Sequence, residues 1–152
     1  MLNVTLRACA LSLPMVVAFP VAAQDSRPAV TATSPDGSIA LTVSTDSDSR
    51  PVWSLSRKGR LLIAPSKLGF ILTDGLNMVR GFAIAGSEKG SGKDRWEQPW
   101  GERRFVTDNH NDLLVRFKQS DVQGARLMNV RFRLFDDGVG FRYELPEQPG
   151  LK

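Results

Sequence analysis

Between Lys93 and Val106 the chain reads KDRWEQPWGERRFV. Trp96 and Trp100, two of the three tryptophans, stand within a few residues of Glu97, Gln98, Glu102 and Arg103. Three kinds of chemistry suit such a set. Glu97 and Glu102 are candidates for a carboxylate pair that cleaves glycosidic bonds, which needs oxygens ~5–9 Å apart. Glutamates beside arginines form ion pairs more often, and pairing holds a carboxylate in its ionised form. Trp96 and Trp100 offer flat faces on which the C–H-rich side of a sugar stacks, with Glu97, Gln98, Glu102 and Arg103 as hydroxyl partners. The competing reading, favoured by composition alone, is that the indoles plug the end of a core.

Other candidate chemistry is thin. His110 is the single histidine. Set among Asn and Asp, it reads as a solvated turn residue, and a zinc site needs three or four ligands. The only cysteine, Cys9, lies inside the amino-terminal leader, so no disulfide or thiolate metal site is expected in the chain after it. EKGSGK (88–93) lacks the spacing and following helix of a phosphate loop. DDG (136–138) is a hairpin turn, without the twelve-residue acidic loop of a calcium hand. No serine sits in a nucleophile-elbow motif. No catalytic residue and no metal ligand is assigned in this chain.

The elements that must position the tryptophan segment are strands. Apolar residues alternate in SIALTVST, where Ile39, Leu41 and Val43 share a face. VWSLSRKGRLLI predicts a hairpin turning at Lys58-Gly59. LGFILTDG closes at Asp74-Gly75, and VRGFAIAGS (79–87) predicts a further strand. SEKGSGKD (87–94) reads as a polar, glycine-rich loop. RRFVTDNHNDLLVRF reads as two strands around a turn at Asp108–Asp112. RLMNVRFRLFDDGVGFRYEL (126–145) is a hairpin with Val130, Phe132 and Leu134 on one face. Pro99 keeps Trp96–Trp100 out of a central strand, and Gly101 permits a tight turn after it. No 3,4-spaced apolar stripe runs for three turns beyond the leader. About ten successive strands predict an all-β, antiparallel β-sandwich.

The first residues read as a secretory signal. Arg7 supplies the positive start, Ala8–Val21 the apolar stretch, and Val21-Ala22-Ala23 the small residues before cleavage at Gln24. A membrane anchor would need ~20 apolar residues, and Pro14 interrupts this run. The expected organisation is a signal peptide over 1–23, a flexible lead-in over 24–30 and one β-sandwich domain over 31–152. Without Arg7, 19 basic residues face 16 acidic ones. The basic residues lie beside turns and do not interleave with aromatics, which argues against a nucleic-acid partner. Export, no membrane contact after cleavage and a periplasmic location are expected.

SPDGSIALTVS, LGFILTDG, WEQPWGERR and FRLFDDGVGFRYELPEQ occur in an order and spacing that resembles the amino-terminal domain of glycoside hydrolase family 97. The resemblance covers roughly residues 30–148. It implies part of a galactose mutarotase-like β-supersandwich, followed in the family by a catalytic (β/α)₈ barrel and a small β domain. Family members include calcium-dependent α-glucosidases and α-galactosidases of bacteria. The catalytic carboxylates belong to the barrel, which nothing here resembles, and calcium is held mainly there. The resemblance therefore implies an incomplete, non-catalytic chain, inactive alone, with calcium required only by the full-length enzyme. Its carbohydrate partner, an α-glucoside or α-galactoside, is met through the catalytic domain. Trp96, Glu97, Gln98, Trp100, Glu102 and Arg103 then become an interdomain contact or cleft wall. The alternatives are a stand-alone periplasmic carbohydrate-binding module, in which they bind sugar, and a structural β-protein without a carbohydrate role.

Overall fold

The computed structural model describes residues 28–73, 77–121 and 124–149. The expected signal peptide, residues 24–27 of the expected lead-in and the expected Asp74-Gly75 turn lie outside them. Ten strands follow in order: β1 (Val30–Thr33), β2 (Ile39–Thr45), β3 (Pro51–Arg57), β4 (Arg60–Lys67), β5 (Phe70–Ile71), β6 (Asn77–Met78), β7 (Phe82–Glu97), β8 (Phe105–Asp121), β9 (Gly124–Leu134) and β10 (Val139–Glu144). Among the described residues no helix is long and apolar enough to cross a membrane.

Two four-stranded antiparallel sheets carry the fold, ordered β1-β2-β3-β4 and β10-β9-β8-β7, with β5 and β6 as a small pair. The period-two faces meet between the sheets. Ile39, Leu41, Val43 and Leu55 pack with Leu113, Val115, Phe117, Val130, Phe132 and Leu134 in one core. Trp53 is the tryptophan that joins this core. Its ring lies 6.1 Å from Phe132 and 5.6 Å from Phe141 across the sandwich. Polar links add register between the sheets. The Asp36 amide donates to Asp136 Oδ1 at 2.9 Å, and the Gly69 amide donates to the Tyr143 hydroxyl at 3.0 Å.

The turns follow their chemistry. Lys58 and Gly59 both take positive φ, 49° and 77°, as a two-residue hairpin matched to strand twist requires. Asp36 closes the SPDG turn. It accepts from the Ser34 hydroxyl at 2.6 Å and the Ser38 amide at 2.8 Å. These bonds, that from Ser34 foremost, hold its carboxyl well below the usual carboxylate range.

Two expectations are corrected. Residues 87–94 are not a loop, and 108–112 is not a turn. Both lie inside the longest strands, paired without a break from Ser87↔Val115 to Glu97↔Phe105. Gly92 does a different task from loop formation. A β-carbon at Gly92 would sit 2.5 Å from His110 Cε1. Glycine in a strand marks such close approach. The Asn/Asp-rich run stays extended because Asp108, His110 and Asp112 alternate on the outer face, in phase with the apolar alternation of 113–117 on the inner one.

Candidate functional site

The tryptophan segment forms the far end of the β7–β8 hairpin. Trp96 and Glu97 are the last residues of β7, an edge strand, opposite Val106 and Phe105. Gln98–Arg104 make the connection. Gln98 fastens it twice: its amide donates to Arg104 O and its Nε2 to Arg103 O, each at 2.9 Å. Gly101 turns with φ of 124°, and the Gln98 side chain fills the space where a β-carbon would point.

The indoles do not plug the core. Trp100 is 84% exposed and Trp96 46%. Phe105 is also exposed, and the Arg95 and Arg104 guanidinium carbons lie 4.3 and 5.4 Å from its ring centroid. Arg104 donates through Nε to Glu97 Oε1 at 2.7 Å. Glu97 is thus an ion-pair partner, as the neighbouring arginines suggest. Glu102 and Arg103 stand exposed in the loop. The tip therefore presents three exposed aromatics ringed by basic residues, Pro99 and one paired glutamate. Such a mix of tryptophan, phenylalanine and arginine is the composition of interface cores.

Sequence reasoning missed a second cluster. His110 is buried, at 6% exposure, rather than solvated in a turn. Its Nδ1 contacts Asp108 Oδ1, and its Nε2 lies 3.3 Å from Asp112 Oδ2. Arg133 on β9 reaches both carboxylates, at 3.8 Å to Asp108 and 3.4 Å to Asp112. The Phe135 ring packs at 5.5 Å over the imidazole. The D-x-H-x-D spacing, read at period two, is the signal that places all three on one face. These contacts brace β8 to β9. Among the described residues no three His, Cys, Asp or Glu side chains form a group able to hold a metal ion.

On the same outer face, Glu144 of β10 accepts from Arg131 at 2.7 and 3.3 Å and from Arg142 Nε at 2.9 Å. The Arg131 hydrogen bonds, then those of Arg142, hold the Glu144 carboxyl below its ordinary value. The same contact raises Arg131.

Two antiparallel sheets packed face to face around one core define the class: an all-β sandwich domain. The chain belongs to the glycosyl-hydrolase 97 N-terminal family, whose model matches residues 32–152. A probable retaining alpha-galactosidase of Streptomyces bingchenggensis is 32% identical over 144 residues, 92% of this chain and 22% of that protein. A glycoside hydrolase family 97 enzyme from Pseudoalteromonas sp., solved with panose and with acarbose, is 41% identical, with a TM-score of 0.75 over 80% of this chain and 18% of that one. A beta-arabinopyranosidase is 27% identical, with a TM-score of 0.71 over 84% of this chain and 19% of its own. The chain thus spans about a fifth of the length of these relatives.

Proposed function

We propose that this chain acts as the non-catalytic domain of an exported, periplasmic α-glycosidase, and that its β7–β8 tip is the surface that meets the catalytic domain. The observation that carries this is the exposure of Trp96, Trp100 and Phe105 among arginines on a hairpin held by its own ladder. Leaving three aromatics in water costs burial that a docked partner recovers, at about 25 cal/mol per Å² of apolar surface. The substrate class, α-glucosides or α-galactosides, rests on the names of the relatives. Bond cleavage and calcium binding fall to the catalytic domain, and this chain's residues supply orientation and a wall. The second reading, a stand-alone carbohydrate-binding module, is favoured by one fact: Trp100 offers nearly its whole indole to solvent.

One experiment separates them. The purified chain is mixed with the Pseudoalteromonas enzyme lacking its own amino-terminal domain, and association is followed by sedimentation. In parallel, panose, acarbose and α-galactosides are titrated against tryptophan fluorescence of the chain alone. The expected outcome is association that Trp100→Ala weakens at least tenfold, no hydrolysis by the chain, and no sugar response at millimolar concentration. A saturable sugar response lost in Trp96→Ala or Trp100→Ala, with no association, would turn the assignment to the binding module.

A further inference from the structure

The outer face of the second sheet holds a hollow of about 250 Å³ lined by Arg131, Arg133, Phe135, Gly140, Phe141 and Arg142. No carboxylate lines it. The acids that belong to these arginines stand at its margins. Glu144 takes Nε of both Arg131 and Arg142, and Asp112 and Asp108 take Arg133 only at 3.4 and 3.8 Å. Each guanidinium has five N–H donors, so every one keeps donors free after these contacts. Glu144 is shared by Arg131 and Arg142, so each of the two has only part of one carboxylate. Register explains the convergence. Arg131 and Arg142 are cross-strand partners, as are Arg133 and Gly140. Gly140 has no side chain to fill the space above its strand, and a β-carbon there would meet nothing within 4 Å. Phe135, packed on His110, gives one apolar wall.

We propose that this hollow is a binding site for a small carboxylate carried on a body of about monosaccharide size. Guanidinium pairs match the planar geometry of a carboxylate. The volume is below the ~300–1,000 Å³ of pockets that enclose drug-sized ligands, so a single ring fits and a chain does not. The arginines arrive already oriented by Glu144 and Asp112, which lowers the ordering cost of binding. The site is separate from the tryptophan tip and does not depend on the role proposed for it.

The test is isothermal titration of the full chain with D-galacturonate, D-galactose and inorganic phosphate at low and at physiological salt. Trp53, 5.6 Å from Phe141, gives a second, fluorescence readout. Galacturonate is expected to bind, galactose and phosphate at least tenfold more weakly, and salt to weaken the acid sugar. Arg142→Gln and Arg133→Gln are each expected to lose about tenfold. Gly140→Leu, which adds a side chain where a β-carbon meets nothing within 4 Å, is expected to abolish binding while circular dichroism stays unchanged. Absence of galacturonate binding at 10 mM (roughly the weak edge of specific affinity) overturns the proposal. So does equal binding of galactose, or binding that survives Gly140→Leu. Phosphate binding as tight as galacturonate overturns it too, by showing a site for any anion.

Discussion

His110 shows how much a single residue's setting depends on its neighbours across the sheet. In the sequence it lies in an Asn/Asp run whose composition is that of a turn. In the fold it is buried between two aspartates because Gly92, its strand partner, leaves room for the ring. That pairing is testable. Gly92→Ala places a β-carbon 2.5 Å from His110 Cε1 and is expected to destabilise the chain by ~1–3 kcal/mol, as overpacking does. Combining it with His110→Ala is expected to cost less than the two changes added together, read by urea denaturation. Additive costs would mean that the two residues do not share the space. Glu144 makes a second prediction, with pH. Its folded-state carboxyl titrates below its unfolded value because Arg131 and Arg142 donate to it. Its contribution is therefore complete above the unfolded value, near 4.3, and is lost as pH falls through the lower folded one. Thermal scans from pH 6 to pH 3 are expected to fall more steeply for the native chain than for Glu144→Gln. Parallel curves would remove Glu144 from the acid response.

At the scale of elements, the strands with an apolar alternation are legible and those without are not. β2, β3 and the β9–β10 hairpin are read correctly because Ile39, Leu41, Val43, Leu55, Val130, Phe132 and Leu134 mark the buried face directly. The middle of β7 carries polar residues and glycines, since an edge strand's outer stretch buries little. What holds it extended is the hydrogen-bond ladder to β8, a tertiary cause that no local pattern encodes. The tip follows the same logic. Pro99 and Gly101 announce a connection, but exposure of Trp96 and Trp100 is set by hairpin length, which carries the tip past the end of the core. Packing and exposure then predict opposite sensitivities along one hairpin. Phe117→Ala, in the core, is expected to cost ~3–5 kcal/mol. Trp100→Ala is expected to stay within about 0.5 kcal/mol. Chemical denaturation of both variants checks this. A large loss on Trp100→Ala would mean that the indole packs in the isolated domain after all.

At the scale of the whole molecule, the sandwich leaves apolar surface along its open sides. β4 and β10 end their sheets, and the Trp53–Phe141 contact joins β3, the neighbour of β4, to β10. Leu61 and Leu62 of β4 are 59% and 54% exposed, and Phe141 and Leu145 are exposed at the other edge. An edge strand offers a row of unpaired amides and carbonyls, and apolar side chains beside them favour pairing with another chain. Two tryptophans and Phe105 at the hairpin tip add a third sticky surface. The expected behaviour of the purified chain is concentration-dependent self-association, followed by sedimentation velocity between roughly 1 and 100 µM, a range chosen to bracket micromolar affinity. A lysine on an edge opposes strand addition because pairing would desolvate its charge. Leu62→Lys, at a position already half in water, is therefore expected to shift the chain towards monomer with a change in unfolding free energy within ~0.5 kcal/mol. Trp100→Ala distinguishes the surfaces. If β4 drives association, Leu62→Lys suppresses it and Trp100→Ala does not. The reverse pattern assigns association to the tip, and a chain monomeric at the highest concentration shows that neither exposed surface is adhesive enough to pair.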